Sequence, residues 1–233
     1  MKYKLTEETK ELFGRTLHRI VCVTAFADVA AGELGGWIES EYNLDQSGDA
    51  WVSGDARVYG DAQVYVNAQV SGNARVYGNA RVYGNAQVSG NAWVSGNAWV
   101  SGNAQVSGNA RVYGDAWVSG DARVYGDAQV YVNAQVSGDA QVSGNARVYG
   151  DAWVYGNAQV KKTADYIVLK NNWSSGRYFT YTLSNKMWKV GCFYGTGEAL
   201  IKKAYADSEL SGKCYEAAVR YVEALEKIQA EAK

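Results

Sequence analysis

The residues whose types and spacing could bind a ligand lie near the C-terminal end of the chain. Arg177 and Tyr181 fall in a segment that alternates like a strand, which places Arg177, Phe179 and Tyr181 on one face. A guanidinium there can pair with an anion, and an aromatic ring can stack on a base. The nearby sequence GTGE opens a predicted helix, whose free backbone N–H groups suit a phosphate. We therefore predict a site for an anionic small molecule formed by Arg177, Tyr181, Lys186, Trp188 and Thr196.

Three residues of the same segment favour a purely structural role instead. Glu198, in the first turn of the predicted helix, can itself satisfy the helix dipole. Phe179 can turn its strand face inward, and Trp188 can serve as a core residue. The pattern leaves both interpretations open.

Residues suited to catalysis or metal binding are few. The chain has one histidine, His18, in a strand-like run where a core or surface role is typical. Its three cysteines, Cys22, Cys192 and Cys214, are an odd number without a CxxC spacing, so reduced thiols in a cytoplasm fit best. The carboxylates of the repeat occupy a turn position that Asn fills equally well. We predict no catalytic residue, no metal ligand and no cofactor.

The charge and hydropathy of the chain argue against several classes of partner. The 233 residues carry a formal net charge of −1, with a pI near 5.9, so no basic field draws the protein to nucleic acid or anionic lipid. No apolar run approaches the length of a membrane span, and the first residues lack the apolar core of a signal peptide. The sequence predicts a cytoplasmic protein that binds neither nucleic acid nor membrane.

One hexapeptide fills the middle of the chain, from about Gly48 to Val160. The unit reads V-[SY]-G-[ND]-A-x, so that A-x-V alternates in-out-in like a strand with Ala and Val facing a core. The Gly-Asn or Gly-Asp pair is a turn, because these residues tolerate a positive φ. Strands this short, with a corner every six residues, can stack as a parallel coil with three strands per turn.

This pattern, an aliphatic residue followed four places on by a small one, resembles the left-handed β-helix hexapeptide-repeat superfamily over residues 48–161. The resemblance implies a mainly β fold, a left-handed parallel β-helix of about six coils that is roughly 30 Å long at ~4.8 Å per coil. Hexapeptide-repeat proteins are often acyltransferases that use a catalytic histidine, and some are carbonic anhydrases that bind zinc through three. Because His18 is the single histidine and precedes the repeat, we expect a protein that is not an enzyme.

Residues eighteen apart lie one above another in such a helix, which sorts the outward side chains onto three faces. One face carries Trp99, Trp117 and Trp153, which we predict as an interface between copies because soluble monomers seldom leave such a patch bare. The resemblance implies a homotrimer. An Arg and Tyr stripe on another face suits an anion or a partner protein, but stacking between these side chains explains it equally well.

An internal duplication indicates whether a face of the repeat could hold a ligand groove. A nineteen-residue segment that begins at Gly54 recurs at Gly120, a shift that is not a multiple of eighteen. The copy therefore lies on a different face. Its residues cannot extend a ligand groove that runs along the face of the first copy. We expect the faces of the repeat to be structural, with the Trp patch as the exception.

The chain divides into three parts. Residues 1–47 form an N-terminal β cap, and the glycines of its sequence VAAGELGGWIESEYNL mark tight turns. Residues 48–163 form the β-helix, whose open sheet edges require caps. Residues 164–233 form a small α+β module with two helices and three strands, Tyr166–Lys170, Arg177–Leu183 and Met187–Tyr194.

The flanking sequences, among them KLTEETKELFGRTLHRI and SNKMWKVGCFYGTGEALIKKAY, look like those of phage and prophage hexapeptide-repeat proteins of Gram-positive bacteria. This resemblance implies a non-enzymatic accessory protein in the host cell cytoplasm. Its C-terminal module would bind a ligand, sequestering a signalling nucleotide of host immunity or a defence protein. The alternatives are a transferase-like enzyme that acts at subunit clefts and a structural component of a virion or adhesin.

Overall fold

The repeat folds as a parallel β-helix in which each coil gives one short strand to each of three sheets. The computed structural model describes residues 1–231. The strands of the repeat are β4 (Trp51–Val52), β5 (Arg57–Val58), β6 (Gln63–Val64), β7 (Gln69–Val70), β8 (Arg75–Val76), β9 (Arg81–Val82), β10 (Gln87–Val88), β11 (Trp93–Val94), β12 (Trp99–Val100), β13 (Gln105–Val106), β14 (Arg111–Gly114), β15 (Trp117–Val118), β16 (Arg123–Val124), β17 (Gln129–Val132), β18 (Gln135–Val136), β19 (Gln141–Val142), β20 (Arg147–Val148), β21 (Trp153–Val154) and β22 (Gln159–Val160).

The register between coils is eighteen residues, as the sequence predicts. Trp93, for example, pairs in parallel with Arg75 on one side and Arg111 on the other. We name the three sheets after their outward residues: the tyrosine sheet (β1-β2-β3-β5-β8-β11-β14-β17-β20), the glutamine sheet (β22-β19-β16-β13-β10-β7-β4) and the tryptophan sheet (β21-β18-β15-β12-β9-β6). The predicted fold class, a mainly β protein built on a parallel β-helix, is confirmed.

The interior of the helix is filled by the two apolar residues of each unit. The Val and Ala on either side of each outward residue are at most 1% exposed, from Ala50 and Val52 to Ala158 and Val160. Each coil thus buries three Val and three Ala side chains, and stacking makes them one continuous core. The hydrophobic effect and the ladder of backbone hydrogen bonds act on the same residues, which explains why so short a unit specifies the fold.

The N-terminal segment closes the first coil. Strands β1 (Tyr3–Leu12) and β2 (Arg15–Cys22) form an antiparallel hairpin, β3 (Leu34–Ile38) joins it to the helix, and a 3-10 turn follows at Glu41–Asn43. The first coil presents free carbonyls on all three sheets, and the cap supplies a donor to each sheet: Ala50 O accepts from the Lys2 ammonium (2.8 Å), Ala56 O from the Trp37 backbone N–H (2.9 Å), and Ala62 O from the Asn43 amide (2.9 Å). The cap supplies hydrogen-bond donors where the coil presents acceptors.

The C-terminal module closes the other end of the solenoid with hydrogen-bond acceptors, whereas the N-terminal cap supplies donors. After a 3-10 turn at Thr163–Asp165, strands β23 (Tyr166–Lys170), β24 (Tyr178–Thr182), β25 (Met187–Val190) and β26 (Phe193–Gly195) form an antiparallel sheet, followed by helices α1 (Gly197–Asp207) and α2 (Glu209–Glu231). The last coil presents free N–H groups, and three hydroxyls accept from them, one on each sheet: Thr163 Oγ1 from Arg147 (3.2 Å), Thr180 Oγ1 from Trp153 (2.8 Å) and Ser184 Oγ from Gln159 (2.7 Å).

The prediction of three strands in this module is wrong, because the run Met187–Tyr194 is two strands. The chain turns at Gly191, whose φ of 54° lies in the left-handed region, and β26 returns alongside β25. The extra strand brings Gly195 opposite Trp188, which places the start of α1 over that ring.

Replacing Thr180 by Val is expected to lower the free energy of unfolding by about 1–3 kcal/mol, the cost of a buried donor without an acceptor. Thr180 is 1% exposed, so water cannot replace its hydroxyl at the Trp153 N–H. Thr180→Ser retains the hydroxyl and serves as the control. Chemical denaturation of both variants checks this, and equal midpoints would show that the hydroxyl does not stabilise the last coil.

Candidate binding surfaces

Four of the five residues predicted to bind an anion surround one cavity. Tyr181, Lys186, Trp188 and Thr196 line a space of about 270 Å³ between the C-terminal sheet and the two helices. Arg177 does not line it. It is exposed, lies just before β24, and its carbonyl accepts from the Asn171 N–H (2.8 Å). At about 3.3 Å per residue, Arg177 lies roughly 13 Å along the strand from Tyr181.

The polar groups of this cavity already have partners within the protein. The Tyr181 hydroxyl donates to Glu226 Oε1 (2.8 Å), and the Lys186 ammonium pairs with the same carboxylate. The Thr196 side chain accepts from the Ala199 N–H (3.3 Å) and so caps α1. Burial, followed by the hydrogen bond to Glu226, raises the pKa of Tyr181, so that it remains a neutral donor. Trp188 is 1% exposed and serves as a core residue.

The charge of the cavity also disfavours an anion. Glu198, Glu223 and Glu226 line it, and the cations beside them are Lys186 and Arg220, the latter paired with Glu198 (2.8 Å) and Glu223 (2.9 Å). The balance is therefore one negative charge. The structure therefore does not bring Arg177 together with the other four predicted residues, and α1 and α2 add carboxylates beside those four; binding of an anion there stays a prediction.

The predicted tryptophan interface divides into an exposed pair and a covered residue. Trp99 and Trp117 stack with centroids 4.9 Å apart and planes 7° apart, and Trp117 is 46% exposed. Trp153 is separated from them by Gln135 and lies beneath the C-terminal module, where Lys189 Nζ is 4.0 Å from its ring. Its indole N–H donates to Ser137 Oγ (3.1 Å). Trp153 is thus part of the junction with the cap rather than of the exposed patch.

The tyrosine sheet carries a second aromatic feature, which is centred on Trp93. Trp93 lies between two guanidiniums, that of Arg75 at 5.1 Å and that of Arg111 at 4.7 Å from its ring. The tip of the β1–β2 hairpin overhangs this part of the sheet and encloses a groove of about 410 Å³. Sequence periodicity could not reveal the groove, because the hairpin lies outside the repeat.

Residues 1–231 contain no group of three or more His, Cys, Asp or Glu side chains placed to hold a metal ion. His18 lies in β2, half-buried, opposite Thr9 and Ile38. Cys22, Cys192 and Cys214 are free thiols, and burial raises the pKa of Cys22.

Comparison with known proteins finds a family model that matches the repeat. Six segments match the family model described as the YdcK beta solenoid repeat: residues 47–65, 68–84, 86–102, 104–120, 116–131 and 140–156. The chain is a β-solenoid repeat protein. No curated protein shows a significant match to it. The phage origin implied by the flanking sequences stays a prediction.

The matched segments of the solenoid end at residue 156, before the last strand of the repeat and the C-terminal module. The caps supply hydrogen-bond partners to the edges of all three sheets, so partners can reach the solenoid mainly at its lateral faces. Within residues 1–231, no helix is both long and apolar enough to cross a membrane.

Proposed function

We propose that this protein is a non-enzymatic binding scaffold: a rigid solenoid that associates side by side with copies of itself through Trp99 and Trp117 and displays its C-terminal module. The observation that carries the proposal is the exposed indole stack of the tryptophan sheet, with Trp117 46% exposed. An indole exposed to this extent on a flat face gains free energy from burial against a second copy.

The distribution of charge favours the tryptophan sheet over the tyrosine sheet. The repeat strands of the tryptophan sheet carry a single arginine, Arg81, which is itself stacked on Trp99 (5.3 Å). Those of the tyrosine sheet carry four: Arg57, Arg75, Arg111 and Arg147. Two copies that meet through the tryptophan sheet bury aromatic area with little repulsion, whereas the tyrosine sheets would oppose like charges.

The orientation of the rings favours a protein partner over a carbohydrate. Because Trp99 and Trp117 stack along the helix axis, each covers one face of the other, and the Arg81 guanidinium covers the second face of Trp99 (5.3 Å), so the edges of the rings point outward. A sugar needs an open ring face, whereas an edge packs well against the rings of a second stack in a T-shaped arrangement. Side-by-side association leaves the C-terminal module of each copy accessible.

Replacing Trp99 and Trp117 together by Ser is expected to reduce the assembly to monomers, because Ser is small, polar and already common on these faces. Native mass spectrometry and light scattering measure the change. Trp93→Ser is the matched control, since it removes an indole from the tyrosine sheet, and it should keep the mass of the natural protein. A monomeric natural protein, or a double variant with unchanged mass and melting temperature, would refute this interface.

We further propose that the scaffold acts in a reducing cytoplasm, as an accessory protein of a phage would. Support comes from Cys22, Cys192 and Cys214, which are unpaired thiols, one of them exposed. Incubation of the assembled protein with acyl-CoA donors and nucleotides should leave both unchanged. Turnover of either would favour the transferase-like alternative.

A further inference from the structure

The groove beneath the β1–β2 hairpin combines cations and aromatic rings that come from two parts of the fold. Its volume is about 410 Å³, and its lining includes Phe13, Arg15, Tyr59, Arg75, Tyr77 and Trp93. The hairpin contributes the first two residues, and the tyrosine sheet contributes the rest. Other coils carry the same Arg and Tyr pattern, but the hairpin covers this one, which distinguishes the groove from the rest of the ladder.

Phe13 stands at the lip of the groove in an unfavourable conformation. It and Gly14 form the two-residue turn of the hairpin with φ of 52° and 74°, the combination of a type I′ turn. Asn or Gly is preferred at the first of these positions, and an aromatic residue is strained there. Phe13 is also 81% exposed, so burial does not offset the strain. A strained and exposed aromatic residue at the edge of a cavity points to a role in binding.

Arg75 in the groove lining, and Arg57 close behind it near Tyr59, have unused capacity for an anion. Arg15 is paired with Glu39 (2.8 Å), but within residues 1–231 no carboxylate lies at ion-pair distance from Arg57 or Arg75. Arg57 Nε is buried without a hydrogen-bond partner. Asp61 is the one acidic residue lining the groove in the described part of the chain.

The environment of Tyr59 supports this view of the charge. Burial, followed by the neighbouring Tyr77, raises the pKa of Tyr59, and the guanidiniums of Arg75, Arg57 and Arg15 oppose the rise. Three guanidiniums therefore lie close enough to Tyr59, a residue of the groove wall, to act on it.

We propose that this groove binds a small organic anion that carries a flat ring. The anionic group pairs with the edge of the Arg75 guanidinium, whose face rests on Trp93. Phe13 offers its ring face to the ligand. Tyr59 and Tyr77 stack on each other (5.1 Å, planes 2° apart), so they offer their edges to the other side of the ligand ring. The volume accommodates a ring system with one carboxylate or phosphate.

Calorimetric titration with four probes tests the proposal: adenosine 5′-monophosphate, 1-naphthoate, adenosine and inorganic phosphate. The first two carry both a ring and an anion and distinguish phosphate from carboxylate, whereas the last two carry one feature each. At least one of the first pair is expected to bind about tenfold or more tightly than either of the last pair, because a charge-assisted pair and a stacked ring act together.

Two variants assign the binding to this groove. Arg75→Gln should weaken it about tenfold or more, whereas Arg123→Gln, in the duplicated segment on the glutamine sheet, should leave it unchanged. Phe13→Asn should weaken it about threefold or more while keeping or raising the melting temperature, because Asn-Gly is the preferred turn.

The proposal fails if neither ring-bearing anion binds, if phosphate alone binds as tightly as they do, or if Arg75→Gln or Phe13→Asn leaves their affinity unchanged. It does not depend on the tryptophan interface, because the groove lies on a different sheet. A monomeric double variant at Trp99 and Trp117 should retain the binding.

Discussion

Gly35→Ala is expected to lower the free energy of unfolding by about 3 kcal/mol or more, the upper part of the range for overpacking a buried site. A methyl carbon at Gly35 would lie 2.5 Å from Ile20 Cγ1 and 2.7 Å from both Trp51 Cζ2 and Val52 O. One of these atoms belongs to the backbone of β4 and the others to fully or nearly fully buried side chains, so none can move aside cheaply. The N-terminal cap would have to lift from the first coil.

Gly32→Ala is the matched control for this substitution. Gly32 has a φ of 87°, but a methyl group there meets nothing within 4 Å, so its cost is that of the left-handed conformation alone, about 1–2 kcal/mol. Chemical denaturation of the two variants distinguishes a glycine required by close packing, Gly35, from a glycine required by a positive φ, Gly32. A Gly35→Ala variant as stable as Gly32→Ala would mean that the cap is not tightly packed on the solenoid.

The contrast between these glycines shows where sequence reasoning stops. The glycines of VAAGELGGWIE predict turns, which is right for Gly32 and wrong for Gly35, a residue inside β3. A turn glycine and a glycine required by close packing look alike in a single sequence, because the second depends on Trp51, which is remote in the chain. The hexapeptide, by contrast, contains the whole environment of its Val and Ala within one period, so its fold was predictable in detail.

The candidate sites likewise divide into features that the repeat alone determines and features that depend on residues remote in the chain. The stacking of Trp99 on Trp117 was predictable, because it depends on the eighteen-residue register alone. The pairing of Tyr181 and Lys186 with Glu226 was not, because that carboxylate comes from α2, forty or more residues later. The groove under Phe13 likewise depends on how a hairpin outside the repeat lies over it. The repeat pattern predicts which side chains stack on one another. Contacts between segments distant in sequence determine which of these side chains line a cavity.

Asn43→Asp is expected to destabilise the protein by about 3–5 kcal/mol at neutral pH, although the two side chains have nearly the same shape. Asn43 is fully buried, and its amide donates to the carbonyls of Gly60 and Ala62, both at 2.9 Å, while its Oδ1 accepts from the Ser40 N–H. A carboxylate would lose both donated bonds and place a negative charge against two carbonyl oxygens. The tryptophan sheet would then lose the side-chain donor to Ala62 at its first coil and keep the Asp45 N–H donor to Val64 O (3.0 Å).

The pH dependence of this loss identifies its cause. Burial raises the pKa of the introduced carboxyl above its unfolded value near 4, so the folded state binds more protons, and the penalty grows as the pH rises through the folded pKa. Melting temperatures of the variant and the natural protein should therefore diverge between about pH 5 and pH 8. Asn91→Asp makes the same chemical change in the exposed ladder, where the Asn91 amide donates to Asn109 Oδ1 (3.2 Å), and should shift stability by about 0.5 kcal/mol or less. Equal shifts for the two variants would show that the hydrogen bonds of Asn43 to Gly60 and Ala62 are dispensable for closing this end of the solenoid.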